Sequence, residues 1–335
     1  MSNKMNDVTV VIDLSKASGR AATGYPLIFA ASQDKAVAYT EVTSLSEVVD
    51  VGFAADTDVY KAASLLFMQS NPPSKIAVCA MTETATVGLP EILDEGWRQL
   101  IVIEDGVQEA VSDYIEASGK HAMYFASYNP AIDGDLMTAV EGNERTVLLA
   151  YASNDVAFPE AALVGATAGM DAGSFTYKNI ILKGVTPQAY KKSEVDAFHA
   201  AGVITILRKV GDIVTSEGLT MSGEYIDIVD SKDYIIEQIE YQTQSLLNRL
   251  PKVSYDDPGI ASLESVTRSV LVDAAGMGMI AFDEESQSYL YVVNFGRRSE
   301  CKAADISTRH YAEGHFEFTL AGAIHTAKIK GTIIA

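Results

Sequence analysis

A chain of 335 residues, 48% of them hydrophobic, is long enough to bury a large core and is sized for two domains or one body with an appendage. Its formal net charge of -20 and pI near 4.6 set most of the surface against a nucleic-acid backbone. Two cysteines exclude a disulfide framework, and neither a secretory signal nor a membrane-length apolar run is present, so the chain is expected to be made and kept in the cytosol with Cys79 and Cys301 structural.

The first predicted element is a strand over residues 8–14, where Val8, Val10, Ile12 and Leu14 alternate with Thr9, Val11 and Asp13 and no local partner is evident. Small residues and Gly19 and Gly24 follow, a composition suited to a joint. A strand is predicted over 25–31. Asp56 or Thr57 then caps a helix with Val59, Ala62, Ala63, Leu66 and Phe67 on one face, ahead of the stop at Pro72 and Pro73. Strands at 76–81, 100–104, 121–127 and 146–151 alternate with helices at 107–117 and 132–140, and a small-residue helix suited to close packing spans 159–170. This alternation predicts an α/β body with a mixed, largely parallel sheet covered by helices. Residues 174–230 read as antiparallel strands and turns that close the body.

The last third opens on two strong helices. Ser231 is the expected cap of the first, which carries Ile235, Ile236, Ile239, Leu246, Leu247 and Leu250 and ends at Pro251; Asp257 and Pro258 are the expected N-cap and N1 of the second. Strands at 289–295, 316–320 and 324–334 follow, an α+β pattern that keeps its apolar alternation through Phe316, Phe318, Leu320, Ile324, Ile329 and Ile333. The expected division is an N-terminal arm over 1–22, a body over 23–230 and a C-terminal domain over 231–335 with a terminal strand arm. Terminal strands either pair within their own subunit or complete a sheet in a neighbour. Residues 1–230 hold 15 basic and 31 acidic side chains, net -16, and residues 231–335 hold 10 and 14, net -4, which favours an outward acidic body and a partner-facing last third.

Chemistry-bearing motifs are scarce. The one Gly-Lys pair, Gly119-Lys120, is followed by His121 instead of the Ser or Thr of a phosphate loop, and the run from Gly276 to Ala281 imitates a dinucleotide fingerprint but ends a helix. His121, His199, His310, His315 and His325 lack zinc-ligand spacing, and Asp56/Asp58, Asp133/Asp135, Asp256/Asp257 and Glu284/Glu285 sit where caps and turns explain them. No catalytic residue, cofactor or metal is therefore assigned. Arg297, Arg298, Lys302 and Arg309 form the one basic cluster, a solvated face or a dock for an acidic partner.

The segments TGYPLIFA at 23–30, ADTDVYKAA at 55–63, FTYKNIILKG at 175–184 followed by Val185, Thr186 and Pro187, AGVIT at 201–205, and the paired helices after Ile226, Asp227, Ile228 and Val229 resemble the contractile tail sheath proteins of bacteriophages and phage-tail-like bacteriocins. The resemblance spans nearly the whole chain and is to the compact type, without extra outward domains. It implies a structural subunit, not an enzyme, that polymerises helically around an inner tail tube between baseplate and terminator proteins. In that family, arms at both ends add strands to a neighbour's C-terminal sheet, and contraction follows a baseplate trigger. The alternatives from residue patterns alone are a doubly wound α/β enzyme and a ring-forming binding module.

Overall fold

In the computed structural model, which describes residues 24–153 and 155–326, eight strands make one sheet: β1 (Tyr25–Ala30), β2 (Val37–Val42), β3 (Ile76–Ala80), β4 (Trp97–Ile103), β5 (Met123–Tyr128), β6 (Thr146–Ala150), β7 (Ile204–Lys209) and β8 (Asp212–Thr215). Their order is β2-β3-β1-β4-β5-β6-β7-β8, parallel from β3 to β7 with antiparallel β2 and β8 at the edges. The mixed, largely parallel sheet is as expected. Its inner strands are buried on both faces, which is why they read as unbroken apolar runs.

Helices α1 (Leu45–Asp50), α2 (Asp58–Phe67) and α6 (Pro159–Thr167) cover one face, with Val48, Leu66 and Leu163 against Ile28, Val78 and Leu149. The other face is covered by α3 (Ala85–Ile92), α4 (Gln108–Ser118) and α7 (Lys192–Ala200), α5 (Leu136–Ala139) being a single turn beside them. Thr57 is the cap of α2, its hydroxyl accepting from the Tyr60 N–H at 3.3 Å. The small residues of α6 do permit close packing: a Cβ on Gly165 would stand 2.2 Å from the Leu66 carbonyl oxygen.

The structure corrects several expectations. Within 174–230 the antiparallel pairing is that of β7 with β8 and two isolated bridges, Ile181 with Val214 and Leu219 with Tyr225, while 192–200 is helical, its start held by Glu194, whose carboxylate accepts from the Lys191 backbone N–H at 2.6 Å. Ser231 caps nothing. The long helix α8 (Ile226–Arg249) begins at Tyr225 and carries Ser231 buried in its interior, so the expected boundary after residue 230 falls inside one continuous helix. Helix α9 (Asp257–Gly276) is capped by Asp256, whose carboxylate accepts from the Gly259 N–H at 2.9 Å, one residue before the expected Asp257.

The 24 residues of α8 span about 36 Å and pass through three surroundings. Ile226 and Val229 enter the core of the body, and Ile235 and Ile239 pack with Val270, Leu271 and Ala274 of α9 in a separate C-terminal core. Leu246 and Leu247 are half-buried, and Leu250 is exposed. Beyond α9 come β9 (Phe282–Asp283), β10 (Ser288–Tyr289), β11 (Tyr291–Phe295), α10 (Ala303–Thr308) and β12 (Gly314–Phe318).

Candidate assembly site

Strands β11 and β12 pair antiparallel with Tyr291 opposite Phe318, Val293 opposite Phe316 and Phe295 opposite Gly314. Alternation then divides the residues: Tyr291, Val293, Phe295, Phe316 and Phe318 face the C-terminal core, while Val292, Asn294, His315 and Glu317 are exposed. Of the two pairings open to a terminal strand, Phe316 and Phe318 take the intrachain one: β11, whose apolar period matches, pairs with them in the same chain. A sheet of only two strands still leaves one edge of each without a strand neighbour among the described residues, the condition for adding a third.

After β12 the chain returns to the end of α9. Leu320 bridges Ile280, the Ala281 N–H donates to the Thr319 carbonyl at 2.8 Å, and the Ala321 N–H donates to the Met279 carbonyl at 2.8 Å. Ile324 stands almost fully exposed, and His325 is held on the body by Thr176 Oγ1 at 2.9 Å, Glu217 Oε1 at 2.5 Å and the edge-on Tyr225 ring. Val8, Val10, Ile12, Leu14, Gly19, Ile329 and Ile333 lie outside the described residues. Gly24 is packed tightly at the start of β1, where a Cβ would stand 2.7 Å from that of Arg98.

The basic cluster lies in the connection between β11 and β12. Arg298 is committed within the chain: its N–H donates to Asp257 Oδ1 at 2.9 Å and its guanidinium binds the Tyr255 carbonyl above the Tyr255 ring. Arg297, Lys302 and Arg309 are exposed, with Glu300 and Asp305 between them. Among the described residues, no group of three or more His, Cys, Asp or Glu side chains is placed to hold a metal ion.

The sequence reading missed the joint between body and C-terminal core. Arg98, buried in β4, reaches Asp233 at 3.3 Å and Glu237 at 3.0 Å on α8, while Arg145 clamps both oxygens of Asp233 and His121 stands 3.5 Å from Glu237. Burial pushes the Asp233 carboxyl upward, but the Arg145 hydrogen bonds and the Arg98 charge overcome it and hold it below the ordinary carboxylate range. Burial likewise raises Glu237, and the Arg98 charge with His121 brings it below its ordinary value. A charge inside the run Trp97-Arg98-Gln99-Leu100 was the available signal.

No family model and no curated protein matches the chain. Solved structures do: a chain of the contracted helical sheath of the anti-feeding prophage superposes with a TM-score of 0.72 at 15% identity, covering 98% of this chain and 99% of that one. The chain has the contractile-sheath fold. The sheath complex of an extracellular contractile injection system, PVC, in its contracted state gives a TM-score of 0.73 at 12% identity over 99% and 98% of the two chains. A sheath tail protein from Desulfitobacterium hafniense gives 0.59 at 10% identity over 85% and 93%. At the level of fold, these likenesses bear out the resemblance read from the sequence, including its nearly full length.

Proposed function

We propose that this protein is the structural subunit of a contractile tail sheath, polymerising as a helix around an inner tail tube and contracting to drive that tube through a target envelope. The observation that carries this reading is the superposition over almost the entire chain on subunits of contracted sheaths. The two-stranded C-terminal sheet, in which each strand has one edge without a strand neighbour among the described residues, supports strand addition as the means of linkage. On this reading residues 8–14 of one copy, or the segment beyond His325, supply the added strand, and Gly19 gives the N-terminal arm its joint.

An added strand of four to six backbone hydrogen bonds at about 0.5 to 1.5 kcal/mol each holds a neighbour by several kcal/mol before side chains contribute. Such links survive while α/β bodies exchange lateral contacts, so contraction is a rigid-body rearrangement. The buried Arg98, Arg145, Asp233 and Glu237 network suits this division, since it makes the body and the start of α8 turn together. Head-to-tail linkage that does not close generates a helix. The near-neutral last third faces the tube and the acidic body faces solvent; baseplate and terminator proteins bound the polymer, which is built in a bacterial cytoplasm and belongs to a phage or tail-like particle.

Deletion of residues 1–14 is the test of linkage. A folded monomer that no longer sediments as polymer supports it; tubes of ordinary length from the truncated chain refute strand exchange through the N-terminal arm.

A further inference from the structure

One end of the C-terminal domain is basic in a chain that is otherwise acidic. Arg249 and Lys252 lie at the turn between α8 and α9, and Arg297, Arg298, Lys302 and Arg309 lie in the connection between β11 and β12. Tyr255 ties turn and connection together: its carbonyl takes the Arg298 guanidinium, and its hydroxyl donates to the His310 carbonyl at 3.0 Å. These are six of the ten Lys and Arg side chains after residue 230, so the near-neutral charge of that region hides an uneven distribution. Nearby acids do not neutralise it. Asp256 accepts from the Gly259 N–H, Asp257 from the Arg298 N–H and Glu300 from the Arg297 N–H at 2.6 Å, so each is bound to a backbone donor. Arg249, Lys252, Arg297, Lys302 and Arg309 form no ion pair among the described residues.

The body carries the opposite imbalance on α4. Glu109, Asp113 and Glu116 recur at i, i+4 and i+7 on its exposed side, and the helix contains no basic residue. Other helices pair their exposed acids: Asp58 with Lys61 in α2, Asp196 with Lys192 in α7 and Glu264 with Arg268 in α9. On α4 the like charges repel, and Glu116 stands in the last turn, where the helix dipole disfavours an anion. Asp113 and Glu116 accept from neutral donors, the Asn143 amide at 3.1 Å and the Arg145 backbone N–H at 2.9 Å, and keep their charge.

Within one chain the two surfaces stand apart. Helix α4 ends near the joint, where His121 is 3.5 Å from Glu237, and from Glu237 to Leu250 α8 rises about 20 Å. That exceeds the Debye length of about 8 Å at physiological salt. A second copy supplies the matching charge.

We propose that the basic end of the C-terminal domain in one copy docks on the acidic α4 face of the body in the next. The contact rests on the protein being a polymerising subunit. Because the two patches differ, it is head-to-tail and leaves a free patch at each end for further copies. It covers the α4 face and leaves the rest of the acidic body outward.

The test is sedimentation of the full-length protein with reversed charges. Arg297→Glu with Lys302→Glu alters the basic end; Asp113→Lys with Glu116→Lys alters α4, where positive charge suits the helix terminus. Each pair of changes is expected to raise the concentration needed for polymer at least about tenfold, since like charges then face each other. An equimolar mixture of the two variants should polymerise again, because each restores the attraction the other lost. Asp113→Asn with Glu116→Gln relieves the repulsion along α4 and secures the fold, and it should still weaken polymer, by a smaller factor. Variants that polymerise like wild type overturn this contact and leave the sheath reading standing. A mixture that does not recover, or loss in only one of the two reversed variants, shows that the surfaces engage something other than each other and also overturns it. A wild type that stays monomeric at every concentration overturns both.

Discussion

Arg98 of β4 and Asp233 of α8 lie 3.3 Å apart with side chains only 6% and 1% exposed, so the body and the C-terminal core meet across a buried ion pair. Removing one member leaves the others charged and desolvated. Asp233→Asn is therefore expected to destabilise the folded chain by about 3–5 kcal/mol in denaturant titration. The double variant Arg98→Met with Asp233→Leu should lose less than the two single changes added together.

The same joint sets the response to acid. Asp233 and Glu237 titrate below their ordinary values when folded, so the unfolded chain binds more protons in that range. Their contribution is complete above the ordinary carboxylate values and is lost as pH falls through the depressed ones. Burial raises Asp230, which opposes the trend, so the comparison with Asp233→Asn isolates it. Wild-type stability should fall more steeply below about pH 4 than that of Asp233→Asn.

Glu160 has the opposite sign. Burial raises its carboxyl from the ordinary value to about 7, so the folded chain holds the extra proton and stability declines as pH rises through that interval. In Glu160→Gln that decline is removed. The variant should gain stability relative to wild type, on the order of 3 kcal/mol, between about pH 4 and pH 8. Parallel stability curves for the two proteins would contradict it.

His325 is the last described contact of the C-terminal segment with the body. His325→Ala removes its hydrogen bond with Thr176 and its contacts with Glu217 and the Tyr225 ring. Backbone amides of 319–326 should then exchange hydrogen faster with the core unchanged, and polymers should form more slowly.

Much of the fold is legible in the residues because the inner strands are buried on both faces: Leu27 to Ala30 and Ile76 to Ala80 read as strands on apolar content alone. Edge strand β2 escapes, since Tyr39, Thr40 and Glu41 interrupt its pattern where one side meets solvent. The start of α8 escapes because Tyr225 provides no side-chain cap, whereas Ser231 has the chemistry of one without the position. The open-edged sheet is half legible: the alternation in β12 identifies the strand, but its pairing with β11 across α10 is a tertiary choice. Arg98 is illegible as a joint, because burial and partners more than a hundred residues away give it that role.

Negative-stain electron microscopy of the purified full-length protein is the most direct measurement of whether copies knit into a sleeve. Long hollow cylinders of uniform diameter are expected. Compact monomers at every concentration, or small closed rings that never lengthen, would contradict a sheath built by strand addition.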